Sequence, residues 1–142
     1  MPRSEATTAP EAVLDRLQAA MNSHDLATFL ACFAEDYASA QPAHPDRTFR
    51  GRAQVERNWS AMFAGLPDFR AELLRRAQTG ADVWAEWRWT GTRADGTHLD
   101  ARGVTIFGVE EGRLAWGRLY MEDVDAGSGI DAAVRQLATG KT

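Results

Sequence analysis

Cysteine is nearly missing from this chain. Cys32 is the only one in 142 residues, which excludes an intrachain disulfide and a thiolate cluster for a metal. It lies within Phe29-Leu30-Ala31-Cys32-Phe33, a setting in which a thiol behaves as a small buried hydrophobe. Lysine is equally scarce: every cation before Lys141 is an arginine, and only Arg75 and Arg76 are adjacent. With a net charge of -4 and no basic stripe, the composition argues against nucleic acid as a partner. No apolar run approaches the roughly 20 residues that span a bilayer, so no membrane partner is expected. Residues 1–10 lack the apolar core of a secretion signal, and a cytoplasmic location is the expectation. His24, His44 and His98 are far apart in sequence, a poor basis for a metal site. Neither a metal nor a cofactor is expected.

What the chain does have is aromatic bulk and a change of period. Five tryptophans, Trp59, Trp84, Trp87, Trp89 and Trp116, need a large surface to cover them. Residues 1–9 are polar and read as a flexible tail. Pro10 opens a helix, where its missing N–H costs little, and Val13, Leu14, Leu17, Ala20 and Met21 keep helical spacing. Asp25 is placed to cap a second helix carrying Leu26, Phe29, Leu30 and Phe33. Tyr37 to Gln41 reads as a short strand, ended by Pro42, and 42–47 as a loop. A third helix, about 52–64, turns Val55, Trp59, Met62 and Phe63 inward. The period then falls to two over 69–78, 83–90, 98–109 and 113–124, four strands on tight turns and hence antiparallel. Residues 10–125 form one domain, and 126–142 a Gly-rich joint with a short helix. The fold class is α+β: a curved antiparallel sheet packed against three N-terminal helices and enclosing one apolar pocket.

Register decides which side chains share a face. With Asp95-Gly96 and Glu111-Gly112 as two-residue turns, Trp89 pairs with Arg102, Trp87 with Val104, and Val104 with Leu119. One face then holds Trp87, Trp89, Val104, Ile106, Leu119 and Met121, broken by Asp100 and Arg102. The other holds Trp84, Glu86, Arg88, Thr105, Phe107, Trp116, Arg118, Tyr120 and Glu122. An aromatic, arginine-rich sheet face suits a subunit interface, so a homodimer through this outer face is expected.

Several stretches are similar to the nuclear transport factor 2-like superfamily, and within it to SnoaL-like proteins. They are Asn22-Ser23-His24-Asp25-Leu26 with Phe33-Ala34-Glu35-Asp36-Tyr37, then Phe49-Arg50-Gly51-Arg52-Ala53-Gln54-Val55, and Glu111-Gly112-Arg113-Leu114 with Arg118-Leu119-Tyr120-Met121-Glu122. The resemblance implies a cone-shaped sheet with its site between sheet and helices. It also implies ligands or substrates like those of ketosteroid isomerases, epoxide hydrolases, polyketide cyclases and dehydratases, alongside non-catalytic members. At the positions where the isomerases carry a Tyr and two Asp, this chain has Leu17, Gln41 and Gly103 or Val104. Where epoxide hydrolases carry an Asp in the last strand it has Leu119. The carboxylates nearest to the cyclases' acid/base position are Glu122 and Asp123.

The candidate site follows from these assignments. Asp100, His44 and Asp123 are the candidates for proton transfer. Arg102 is the polar handle for an oxyanion, and Trp87, Trp89, Val104, Ile106, Leu119, Met121, Gln41, Tyr37 and Trp59 line the pocket. The expected ligand is small, largely apolar and cyclic, with one polar or anionic end. A non-catalytic binding or assembly module is the alternative, and a structural ion pair is the alternative role for Asp100 and Arg102.

Overall fold

The computed structural model describes residues 8–141, so most of the tail expected over 1–9 lies outside the described residues. Helix α1 (Pro10–Ser23) buries Val13, Leu14, Leu17, Ala20 and Met21 and ends at His24 in the left-handed region (φ 56). Asp25 caps α2 (Leu26–Ala31), accepting from the Thr28 amide at 3.1 Å and its hydroxyl at 2.7 Å. The second helix is shorter than its apolar pattern suggests, because Phe33 opens strand β1 (Phe33–Ala40) instead. A 3-10 turn (Pro45–Arg47) and the short β2 (Phe49–Arg50) lead into α3 (Arg52–Gly65). Strands β3 (Arg70–Thr79), β4 (Asp82–Thr92), β5 (His98–Glu110) and β6 (Arg113–Asp123) follow. After the Gly-rich joint comes α4 (Ile130–Thr139), none of whose residues is buried.

Among the described residues the strands form one sheet in the order β2-β1-β6-β5-β4-β3. Neighbours are antiparallel except β1 and β6, which run parallel. This corrects the all-antiparallel expectation. Parallel neighbours need a long connection, and everything from α3 through β5 supplies it. Helix α1 is tied to the exposed edge of β3 by Asn22, whose amide exchanges both hydrogen bonds with Ala71 (2.7 and 3.0 Å). Arg76 adds ion pairs to Glu11 and Asp15.

The β4–β5 register departs from the expectation by one residue. Thr92 pairs with His98, so the connection is 93–97, five residues long, and Trp89 faces Ala101, Trp87 faces Gly103 and Ala85 faces Thr105. Asp95 does not sit in a two-residue turn; its carboxylate takes the Thr97 amide at 3.0 Å and the Thr97 hydroxyl at 2.7 Å. A slip of one residue sends every side chain of β5 to the opposite face. Arg102, Val104, Ile106 and Asp100 therefore lie outside, while Thr105 and Phe107 lie inside and are buried. A bulge between Gly108 and Val109 shifts the β5–β6 register back, which returns Leu119 and Met121 to the inner face.

Candidate ligand-binding site

The inner face of the sheet and the helices enclose a cavity of about 190 Å³. Leu17 and Met21 of α1, Phe29 of α2 and Val55, Asn58, Trp59 and Met62 of α3 cover it. Its sheet wall is Phe33, Tyr37 and Ser39 of β1, Phe49 of β2, Trp87 and Trp89 of β4, Thr105 and Phe107 of β5 and Leu119 of β6, with Gln41 just past β1. The aromatics interlock: Trp59 meets Phe29 at 4.8 Å and Trp89 edge-on at 5.6 Å between ring centroids. Such contacts fix ring orientation and keep the walls apart.

Six of the expected pocket residues line this cavity: Trp87, Trp89, Leu119, Gln41, Tyr37 and Trp59. Met121 packs against the core beside it. Arg102, Val104 and Ile106 do not line it, for the register reason above. Arg102 stands exposed on the outer face between Arg88 and Glu122. Asp100 is also outside, where it pairs with Arg88 at 3.2 Å, so its structural role holds with a different partner. His44 bonds Glu122 at 2.9 Å and pins the 42–47 loop to the end of β6. Asp123 pairs across from Ala101, in the row of Trp89 and thus on the inner face, but it is exposed beyond Met121. The three proton-transfer candidates are therefore not brought together.

The other histidines have structural partners. The His24 ring donates to the Phe69 carbonyl at 2.9 Å and stacks on Phe63 at 4.7 Å. His98 meets the Thr92 hydroxyl at 3.3 Å near the β4–β5 turn. Among the described residues no group of three His, Cys, Asp or Glu is arranged to hold a metal, and no helix is long and apolar enough to cross a membrane.

The polar groups of the cavity are neutral. Thr105, absent from the expected site because the two-residue turn would put it on the outer face, accepts the Trp87 indole N–H at 2.8 Å in a fully buried pair. Tyr37 is 3% exposed, and burial pushes the pKa of its phenol up to about 12, with the Ser39 hydroxyl pulling the other way. Its oxygen lies over Gly117, where a Cβ would come within 2.2 Å of it. Among the described residues Tyr37 is the only titratable one in the wall, and it is protonated at neutral pH. Two signals for Thr105 were present in the sequence, its β-branched fit to a strand and its even spacing from Phe107; neither decides a face when both parities of β5 carry apolar residues.

The positions that the resemblance matches to the isomerases' Tyr and Asp residues and to the epoxide hydrolases' Asp can also be placed. Leu17, Gln41 and Leu119 line the cavity, Gly103 faces inward beside Trp87 and Val104 faces outward, so none of these positions brings an acid to the chamber.

The SnoaL-like domain family matches residues 14–116. Among solved structures, a loop-truncation variant of IdmH is 25% identical with a TM-score of 0.67, over 80% of this chain and 92% of that one. Bal32a, from a soil-derived mobile gene cassette, is 24% identical with a TM-score of 0.69, over 80% and 89%. A protein of ketosteroid isomerase-like fold from Catenulispora acidiphila, crystallised with trimethylamine, is 18% identical with a TM-score of 0.66, over 78% and 85%. No curated protein matches. The likeness to these structures carries the cone-shaped α+β fold, and the match over residues 14–116 makes this chain a member of the SnoaL-like family.

Proposed function

We propose that this protein binds a small, uncharged, largely apolar cyclic molecule in the chamber between sheet and helices. The observation that carries this reading is the wall itself: of its lining residues none is charged at neutral pH, and most are aromatic or aliphatic. An anionic ligand would lose its hydration with no cation to replace it, a cost of several kcal/mol. The polar end of the ligand is therefore neutral, since Arg102 lies on the other face. For scale, a dry cavity of about 150 Å³ binds benzene; about 190 Å³ suits a bicyclic ring system near an open mouth. Acid/base chemistry is the weaker reading, because Asp123 at the rim is the one candidate acid left on the inner face. Naphthalene is expected to raise the unfolding temperature, with about 3 kcal/mol of stabilisation at a hundredfold excess over Kd. Leu119→Trp, which fills the chamber from β6, should abolish that gain. A folded wild-type protein that shows no shift with naphthalene sinks the proposal.

A second observation supports a homodimer through the outer sheet face. The corrected register adds Val104 and Ile106 to a patch with Trp84 and Tyr120, whose side chains are exposed (45% and 40%). Arg88, Arg102, Arg118 and Glu86 surround it, an apolar centre with a charged rim. Sedimentation at micromolar concentration should give a dimer for the wild type and a monomer for Ile106→Arg. A wild-type monomer removes this claim and leaves the chamber proposal untouched.

A further inference from the structure

One buried donor of the chamber has no partner, and that donor names a ligand class. Trp89 lines the chamber, and its indole nitrogen is buried with no hydrogen-bond partner, the one such side-chain atom among the described residues. An indole N–H can only donate. Thr105 accepts from Trp87 at 2.8 Å; because Trp87 cannot accept in return, the Thr105 hydroxyl proton is left to point elsewhere, and none of the described residues accepts it. Gln41 has its carbonyl oxygen occupied by Arg47 at 3.0 Å. Arginine has no acceptor, so the amide orientation is forced and the Gln41 NH2 is what remains. The same logic runs through α3: Arg57 donates to the Gln54 oxygen, so the Gln54 NH2 donates to the Asn58 oxygen at 2.7 Å. The Asn58 NH2 is left over.

Four lining residues thus have donors left over, beside the hydroxyls of Tyr37 and Ser39, and the two amide oxygens each already accept one hydrogen bond from outside the chamber. Two of the donors, on Trp89 and Thr105, are in the interior, where an unmade hydrogen bond is costly. A ligand that brings only a proton of its own leaves the buried Trp89 donor unpaired. A ligand that brings a lone pair relieves an unpaired buried donor.

We infer that the chamber is built for a neutral carbonyl compound of about two fused rings, a ketone, quinone or lactone whose oxygen accepts from Trp89 and Thr105. This rests on the chamber being a ligand site, as proposed above, and adds the acceptor oxygen to it. The expected advantage is set by one buried hydrogen bond, about tenfold in Kd, equal to about 1.4 kcal/mol.

The test is a matched pair of probes, 1-tetralone and tetralin, which differ in the carbonyl. Calorimetric titration of the full chain should give 1-tetralone a Kd about tenfold below that of tetralin. Trp89→Phe, which removes the donor and keeps an aromatic wall, should shrink that ratio to twofold or less, because the loss of ring volume acts on both probes alike. Thr105→Val should act in the same direction, with Trp89→Phe as the cleaner variant because Thr105 also holds Trp87. In the infrared, the carbonyl stretch of bound 1-tetralone should lie below its value in hexane, and return toward it in Trp89→Phe. Tetralin binding as tightly as 1-tetralone, or a ratio unmoved by Trp89→Phe, overturns the inference and leaves the chamber as an apolar site. Failure of both probes to bind removes the chamber proposal and this inference with it.

Discussion

Truncating Trp87 to alanine should cost about 3–5 kcal/mol of stability, the range for removing a buried aromatic ring. Trp87 is 1% exposed and sits at the middle of β4, between Leu73 of β3 and Gly103 of β5. Its ring borders an existing cavity, so its loss enlarges a void that rigid aromatic neighbours hold open. Sites that cannot collapse lie at the expensive end of such substitutions. The change also takes away the donor to Thr105, leaving that hydroxyl buried and unpaired, worth about 1 kcal/mol more. With a urea m-value of about 2 kcal/mol/M, the unfolding midpoint should fall by roughly 2 M. Trp87→Phe with Thr105→Val restores most of the volume and removes both polar partners, and should recover well over half of the loss. A Trp87→Ala midpoint within about 0.3 M of wild type would mean that the ring does not support the sheet wall.

The elements themselves were legible in the sequence because each carries its own local signal. Pro10 and the spacing of Val13, Leu14, Leu17 and Met21 identify α1; Asp25 starts α2; the change to period two at Phe69 starts the run of four long strands. The pocket-facing side of β4, Trp87 and Trp89, was equally clear, because Trp84, Glu86 and Arg88 mark the other side. Strand β5 was not, and the cause is physical. Both of its parities carry apolar residues, Val104 and Ile106 on one and Ala101 and Phe107 on the other, so burial preference alone cannot choose between them. The choice passes to the turn, where Asp95-Gly96 suggests two residues. The chain closes five, with the Arg93 amide on the Thr97 carbonyl at 2.8 Å and Gly96 at φ 88. Strand β6 was placed correctly through two compensating shifts, the turn and the bulge at Gly108. That bulge has its own logic: the Trp116 indole lies across Gly108, and a Cβ there would stand 1.9 Å from its nitrogen. Arg102 as the polar handle followed directly from the uncorrected register, and Thr105 went unrecognised for the same reason.

Above pH 10 the protein should lose stability through a single phenol. Tyr37 has its folded pKa raised to about 12 by burial, against about 10 for an unfolded tyrosine. Its protonated, neutral form is the one the fold favours. The contribution is thus fully present below about pH 10 and lost as pH rises through about 12. Two units correspond to about 3 kcal/mol, most of it lost between pH 10 and 12. The composition makes this window unusually clean: Lys141 is the only lysine and Tyr120 the only other tyrosine, while arginines stay charged throughout. Burial also raises the Cys32 thiol, with the same sign, so the comparison is best made in a Cys32→Ala background. There, Tyr37→Phe should differ little from its parent at pH 8 and be the more stable of the two by about 2 kcal/mol at pH 12. Parallel stability curves for the two proteins between pH 8 and 12 would be inconsistent with a buried phenol. Gly117 supplies the control that separates burial from chemistry. A methyl group there meets the Tyr37 oxygen at 2.2 Å and the Phe107 ring at 3.0 Å, so Gly117→Ala must push the phenol toward solvent. The ultraviolet titration of Tyr37 should then move down from about 12 toward its ordinary value, with the alkaline loss of stability shrinking in step.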